Sequence, residues 1–427
     1  MYFVESAANT CFSEGQGYGM MITAYIAGYD DSAQTYFDGL YNYYKAYPTT
    51  SNQYLMAWKQ LNCVSVGGVN SATDGDIDIA FGLLLAYCQW DSTGDINYLQ
   101  EAKNIINAII EEEVNHETWS TQIGNWVTSA SSEYYYATRT SDFIIDHFRV
   151  FEIATSNSNW DLVKDRCYTL IEDMQTNYSA NTGLLPDFII DINSSPSPAQ
   201  PHFLESEYDG DYYYNACRDP WRLATDYLLY GEERAETAVE KINTWLKTST
   251  SGNPNNISSG YKLDGTKLFP YNNPAFVGPF TVSAMVNSQH QQWLNELYSR
   301  LNSMSFSSND YYNNSIKLLC MLVISGNYWS PDCNITYGFD EMINKEFDIN
   351  IYLSDNSLFI KMDNESKYYE GNNLLISNVF GKHQLMTDLQ HKLISINISS
   401  YSIGIYFVSV YNKDKQLLKT KKIFISN

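Results

Sequence analysis

The sequence predicts an all-α domain of many antiparallel helices followed by a small β-sandwich, and two changes of pattern carry that prediction. From Met21 to about Ile324, apolar segments of helical length recur between Gly/Asn/Ser/Pro-rich loops such as Asn193–Pro201 and Ser249–Ser259. Beyond Asn350 the chain turns to short alternating runs separated by turn residues. A length of 427 residues with 44% hydrophobic content suffices for one large core and a small appendage. The expected domains are 1–332 and 350–427, with 333–349 as a linker.

The helical segments, in order, are Met21–Tyr29, Ile79–Trp90, Tyr98–Ile110, Asp142–Ala154, Trp160–Met174, Trp221–Leu229, Ala235–Leu246, Val282–Leu301 and Ile316–Ile324. The strand-like runs are Ile351–Leu353, Ser357–Met362, Leu374–Asn378, Lys392–Ile398, Gly404–Tyr411 and Leu417–Ile425. Asp-Asn, Glu-Gly-Asn-Asn and Asn-Lys-Asp turns separate them. Eighty residues are enough for one sheet pair.

Net charge is −23, and over residues 346–427 nine Lys outnumber eight acidic residues, so the first part of the chain is the acidic one. Phosphate backbones are repelled by such a surface, which excludes nucleic acid as the expected partner and leaves neutral or cationic polymers. The 36 Tyr and 9 Trp suit stacking on sugar rings, although core filling is the ordinary use of any one ring. Seven scattered cysteines form no Cys-x-x-Cys pair or metal-ligand spacing and read mostly as buried thiols. No stretch is long and apolar enough to span a membrane, and no signal peptide is visible at Met1.

Three stretches concentrate candidate chemistry. In Ser13-Glu14-Gly15-Gln16-Gly17-Tyr18-Gly19-Met20 one carboxylate stands among glycines that would let a polymer approach, against the plainer reading of a solvated glutamate at a helix start. Ala72-Thr73-Asp74-Gly75-Asp76-Ile77-Asp78 runs into an apolar helix, where Asp76 and Asp78 read equally well as helix-start capping, while Asp74 falls outside the helix. A calcium loop fails there, because the required glycine is Ile79 and the closing glutamate is Leu85. Phe203–Arg222 mixes acids, aromatics and two arginines, and Arg218 and Arg222, one helical turn apart, could fix carboxylates in place.

These stretches, together with Leu55-Met56-Ala57-Trp58-Lys59, Phe148-Arg149-Val150-Phe151, Gly183-Leu184-Leu185-Pro186-Asp187-Phe188 and Tyr214–Arg222, resemble glycoside hydrolase family 8, in order and over nearly all of residues 1–332. The resemblance implies an (α/α)6 barrel and inverting endo-hydrolysis of a β-1,4-linked glycan such as chitosan, β-glucan, cellulose or xylan. It puts Glu14 on the general acid and Asp74 on the aspartate that binds and distorts the sugar. Gly82 departs mildly from the small Ala or Ser usual at its place. The larger departure is Asn215, where many members carry an aspartate as base, since an amide cannot take a proton from water. The resemblance is then closest to the chitosanase and glucanase subgroup, which assigns the base to a glutamate of the preceding loop, Glu205, with Glu207 in reserve. It also implies a helix ahead of the Glu14 motif; only thirteen residues precede Glu14, so a truncated chain is expected.

The chemistry agrees with this assignment. An inverting enzyme needs a protonated carboxyl and an ionised one roughly 6.5–9.5 Å apart, with a water between the second and the sugar. Trp58, Trp126 and Tyr214 are the expected sugar platforms, with Asn215 and Arg218 as further binding residues, and no cofactor or metal is required. The tail resembles the sorting domain of the type IX secretion system, which implies a secreted or cell-surface protein delivered by that machinery through residues 350–427. A small carbohydrate-binding or spacer sandwich is the alternative for the tail, but Tyr368, Tyr369, Tyr401, Tyr406 and Tyr411 alone make no sugar platform. For the whole chain the alternative is a non-catalytic glycan-binding or cell-surface protein on the same scaffold.

Overall fold

The computed structural model describes residues 1–333 and most of 349–425; residues 334–348, 355–356, 363–371, 379–382, 390, 392, 403, 412, 414–416 and 426–427 are outside the description. The chain divides into two compact units, Met1–Ile335 and Thr336–Asn427. The first boundary thus falls three residues beyond the expected 332. Most of the expected linker, 333–349, lies outside the described residues.

In the first unit eleven α-helices are described: α1 (Ser13–Tyr25), α2 (Ala33–Ala46), α3 (Thr73–Trp90), α4 (Tyr98–Glu112), α5 (Ile145–Thr155), α6 (Asn159–Asn177), α7 (Asp219–Tyr230), α8 (Glu233–Ser249), α9 (Pro274–Ser283), α10 (Gln291–Ser303) and α11 (Tyr311–Ile324). The odd-numbered helices close a ring, α1 packing on α3, α3 on α5, and so on to α11, which returns to α1. The even-numbered helices lie outside, α2, α4, α6 and α8 each against its predecessor and α10 against α9. Burial follows this division. Residues 73–86 of α3 and 275–283 of α9 are buried all round, whereas α4 and α8 bury one stripe, as outer helices should.

Three helix expectations are corrected. α1 starts at Ser13 rather than Met21, because Gly15, Gly17 and Gly19 are accommodated inside it. A Cβ at Gly17 would stand 2.7 Å from the Asp78 Cβ, and one at Gly75 would stand 2.7 Å from the Ser13 carbonyl carbon and closer still to its Oγ. Glycines 17 and 75 therefore let α1 and α3 touch, and their use is packing rather than room for a polymer. Gly82 continues the same seam, where a Cβ would stand 3.1 Å from the Met20 Cβ. The segment Val282–Leu301 is two helices, broken at Asn287, whose backbone is extended and whose side chain accepts from the Gln289 N–H. α2 was not expected at all; its buried face is built from Phe37, Leu40, Tyr41, Tyr43 and Tyr44.

Short strands brace the loops at one end of the ring. β1 (Thr10–Phe12), β2 (Lys59–Leu61) and β3 (Val64–Ser65) form one sheet, and β4 (Val114–Asn115) pairs with β5 (Ser120–Thr121). β6 (Thr138–Arg139), β7 (Phe188–Ile190) and β8 (Ser197–Pro198) form another. Cys88, in the last turn of α3, is disulfide-bonded to Cys333, which corrects the reading of these two as thiols; Cys11, Cys167, Cys217 and Cys320 are buried and free, and Cys63 is exposed.

The second unit holds β9 (Ile349–Ser354), β10 (Ser357–Met362), β11 (Asn373–Asn378), β12 (His383–Asp388), β13 (Leu393–Asn397), β14 (Gly404–Tyr411) and β15 (Leu417–Ile425). They form two antiparallel sheets, ordered β13-β10-β9 and β12-β11-β14-β15, around one core that includes Leu358, Ile360, Leu374, Ile376, Val408 and Ile423. Only β12, an edge strand with Met386 exposed, escaped the sequence pattern. Tyr406 lies in this core with Tyr401 packed on it, while Tyr368 and Tyr369 are outside the described residues.

Candidate active site

The close α1–α3 contact sets two carboxylates side by side. Glu14 and Asp74 occupy the first turns of α1 and α3, so Asp74 is inside its helix and not ahead of it. Between them lies Arg218, which is buried just before α7. Its Nη1 donates to Glu14 Oε1 and to Asp74 Oδ2 at 2.9 Å, and its Nη2 donates to Ser141 Oγ at 2.8 Å. Tyr311, the first residue of α11, donates its hydroxyl to Glu14 Oε2 at 2.9 Å. Neither Asp76 nor Asp78 caps α3. Asp76 accepts the Met56 N–H at 2.8 Å and so ties down the loop carrying Trp58, while Asp78 is held by Arg222 at 2.6 Å and His147 at 3.1 Å. Each of the three aspartates has its own partner, so the run is no cation loop.

The surroundings drive the two neighbouring carboxyls apart. Burial raises the Glu14 pKa, and the charge of Asp74 adds to it, outweighing the pull of Arg218. Burial also pushes Asp74 up, but the Arg218 and Arg139 guanidiniums overcome it and hold its carboxyl below the ordinary aspartate value. Glu14 thus keeps its proton where Asp74 has lost one.

Glu205 comes from the loop ahead of α7. Buried Asp209 shapes that loop by accepting the backbone N–H groups of Leu204, Glu205 and Ser206 at 2.7, 2.9 and 2.8 Å. The Glu205 side chain is 43% exposed and accepts from Arg139 Nη2 at 2.8 Å and from Asn215 Nδ2 at 2.9 Å. Arg139 Nη1 lies 3.7 Å from Asp74 Oδ1, so one guanidinium faces both acids. Glu14, Asp74, Glu205, Trp58, Trp126, Tyr214 and Asn215 all line one cavity of about 880 Å³, and Arg218 lies beneath its floor. Glu207 is exposed and does not line it.

A profile of the glycosyl hydrolases family 8 matches residues 4–326. This chain belongs to glycosyl hydrolase family 8. It is therefore an enzyme acting on glycans, and its closed ring of six inner helices is the family's (α/α)6 barrel. This family 8 chain is 48% identical over 331 residues to a β-glucanase of Niallia circulans, an alignment covering 77% of this chain and 80% of that one. It is 41% identical to an endoglucanase of Bacillus sp. strain KSM-330, covering 75% and 67%. Among solved structures, a β-1,3-1,4-glucanase from Paenibacillus sp. X4 superimposes with a TM-score of 0.75 at 47% identity, covering 77% of this chain and 86% of that one.

The family 8 cleft also holds residues that the sequence did not single out. Tyr311 opens α11 much as Glu14 and Asp74 stand in the first turns of α1 and α3, so the start of a third inner helix was a usable signal. Arg139 sits on two-residue β6, and Phe12, which stacks on Trp58 with ring centres 5.7 Å apart, ends three-residue β1; neither strand carries a readable period. The remaining expected platforms are each fixed from behind. Trp126 meets Tyr134 edge-on, and the Tyr214 hydroxyl accepts from Asn273 at 2.7 Å.

Proposed function

We propose that this chain is an inverting endo-β-1,4-glucanase acting on mixed-linkage β-glucan. Glu14 is the general acid, Asp74 binds and distorts the sugar at the cleavage point, and Glu205 is the general base, as in the subgroup with Asn at position 215. One observation carries the reading: two carboxyls on one cleft have opposite surroundings. Glu14 is desolvated and its proton affinity raised, whereas Glu205 is half exposed to water and accepts N–H donors on both oxygens. As the C1–O bond breaks, the Glu14 proton passes to the glycosidic oxygen. Glu205 takes a proton from the water whose oxygen bonds C1 from the opposite face, and exchange with solvent resets both groups. Trp58, Trp126 and Tyr214 offer ring faces to the sugars on either side.

The names of the 48% and 47% identical relatives support β-glucan over chitosan and xylan. Reducing ends released from mixed-linkage glucan, carboxymethylcellulose, chitosan and xylan test the choice, with proton NMR reading the first anomer formed. Mixed-linkage glucan is expected to be cut fastest, with inversion. Faster release from chitosan would reassign the polymer. Glu14→Gln and Glu205→Gln should each lower kcat by roughly 10²–10⁴-fold; an active Glu205→Gln enzyme would overturn Glu205 as the base.

We further infer that residues 350–427 form a β-sandwich sorting domain for type IX secretion and that the enzyme works outside the cell. The two antiparallel sheets with one core support the first statement. The Cys88–Cys333 disulfide supports the second, since such bonds persist in oxidising compartments. Deleting 350–427 in a host with that machinery should leave the enzyme cell-retained, and unchanged export would overturn the assignment.

A further inference from the structure

Asn215 stands where a base is missing, and the structure gives its amide a defined orientation. The residue is 8% exposed; its Oδ1 accepts from Arg218 Nη2 at 3.1 Å, and its Nδ2 donates to Glu205 Oε2 at 2.9 Å and to Asp187 Oδ2 at 3.3 Å. Asp187, buried, also accepts the backbone N–H groups of Tyr213, Asn215 and Ala216 at 2.9, 3.1 and 2.8 Å. It thereby fixes the turn from which the amide projects. Only one placement of the amide oxygen and nitrogen satisfies these neighbours. Flipped, the oxygen would face two carboxylates and the NH2 would face a guanidinium.

We propose that Asn215 is the positioning residue of the general base: it holds Glu205 Oε2 from one side while Arg139 holds Oε1 from the other. The inference rests on Glu205 being the base. A carboxylate offers about four lone-pair sites, so two fixed donors set its plane and leave sites free for the attacking water. The same geometry forbids the residue that other members use. An aspartate at 215 would set a carboxylate against Glu205 and Asp187 at hydrogen-bond distance, and three such groups do not ionise together. The neutral amide is therefore what lets Glu205 serve, and restoring an aspartate here removes a base instead of adding one.

The groups facing Glu205 are Arg139 from β6, Asn215 backed by Asp187 and Arg218, and Asp209 beneath its own loop. The test is the pH dependence of kcat/KM on mixed-linkage glucan for the full chain and for Asn215→Ala, Asn215→Asp and Glu205→Gln, with Tm recorded for each. The acidic limb reports the free enzyme's base. It should move to higher pH in Asn215→Ala, where one donor to the anion is lost, and further in Asn215→Asp, where a charge is added. In both, kcat should fall by roughly ten- to a hundredfold with KM little changed.

A uniform loss of kcat with the limb unmoved, or full activity in Asn215→Asp, would overturn the positioning role. If Asn215→Asp does not fold, the limb of Asn215→Ala decides alone. A fully active Glu205→Gln enzyme would instead overturn the assignment of the base.

Discussion

At Glu14 a phenol joins the Arg218 guanidinium in limiting how far the carboxyl's proton affinity rises. Burial and Asp74 push it up, Arg218 pulls it back most, and the Tyr311 hydroxyl, donating to Oε2, adds to that pull by stabilising the anion. Removing that donor in Tyr311→Phe raises the Glu14 pKa further, so the alkaline limb of kcat should shift to higher pH while kcat itself drops severalfold. A pH–rate profile checks this, and a downward shift would contradict the role given to the hydroxyl. Glu14, Asp74 and Arg218 were legible in the sequence because each stands beside the start of a long apolar helix. Arg139 was not, because a two-residue strand has no period and its partners Asp74 and Glu205 lie 65 and 66 residues away in opposite directions. Asn215 was read as a lost base and as a binding residue; its three side-chain hydrogen bonds, to Glu205, Asp187 and Arg218, were not foreseen.

The α1–α3 seam is the element on which the site depends. A Cβ at Gly17 meets Asp78 at 2.7 Å, and Asp78 cannot yield, since Arg222 and His147 grip its two oxygens. Gly17→Ala should therefore destabilise by about 1–3 kcal/mol through overpacking, measurable by urea unfolding. Activity should fall more than stability, because the two helices carry Glu14 and Asp74. Helices with aliphatic faces were legible, but α2 was not. Three of its seven buried residues are tyrosines, which read as polar or as platform until packing against α1 shows otherwise. The break at Asn287 escaped for a different reason: the polar run from Asn287 to Gln292 that marks it was read as part of one long helix.

Across the first unit, buried carboxyls set the response to pH. Burial pushes Glu113 and Asp142 up to about 8 and Asp187 up to about 7. In the unfolded chain such groups lose their protons near pH 4. The fold therefore binds more protons than the unfolded chain between those values, and the stability they contribute, complete below about pH 4, is lost as pH rises through about 7 to 8. Asp74 and Asp146, held below the ordinary value, work the other way and are lost only in strong acid. Calorimetry should show Tm falling from pH 5 to pH 9. A rising Tm would mean that these carboxyls are ionised in the fold.

The Cys88–Cys333 bond spans 245 residues, nearly three quarters of the first unit. Cys88→Ser should lower stability by about 2–5 kcal/mol, and reductant should reproduce that loss in the parent but not in the variant. Scattered spacing concealed this pair, since cysteines joined across such a distance leave no local signature.

The groups gathered at Glu14 are drawn from the whole length of the ring: Glu14 itself from its first helix, Tyr311 from its last, 297 residues later, and Arg218 from between. No partial assembly of helices contains the site. On dilution out of denaturant helices can form before α11 meets α1, and until it does Glu14 lacks the Tyr311 hydroxyl that donates to it. Recovery of hydrolysis therefore reports closure of the ring, whereas the circular dichroism signal reports only its helices.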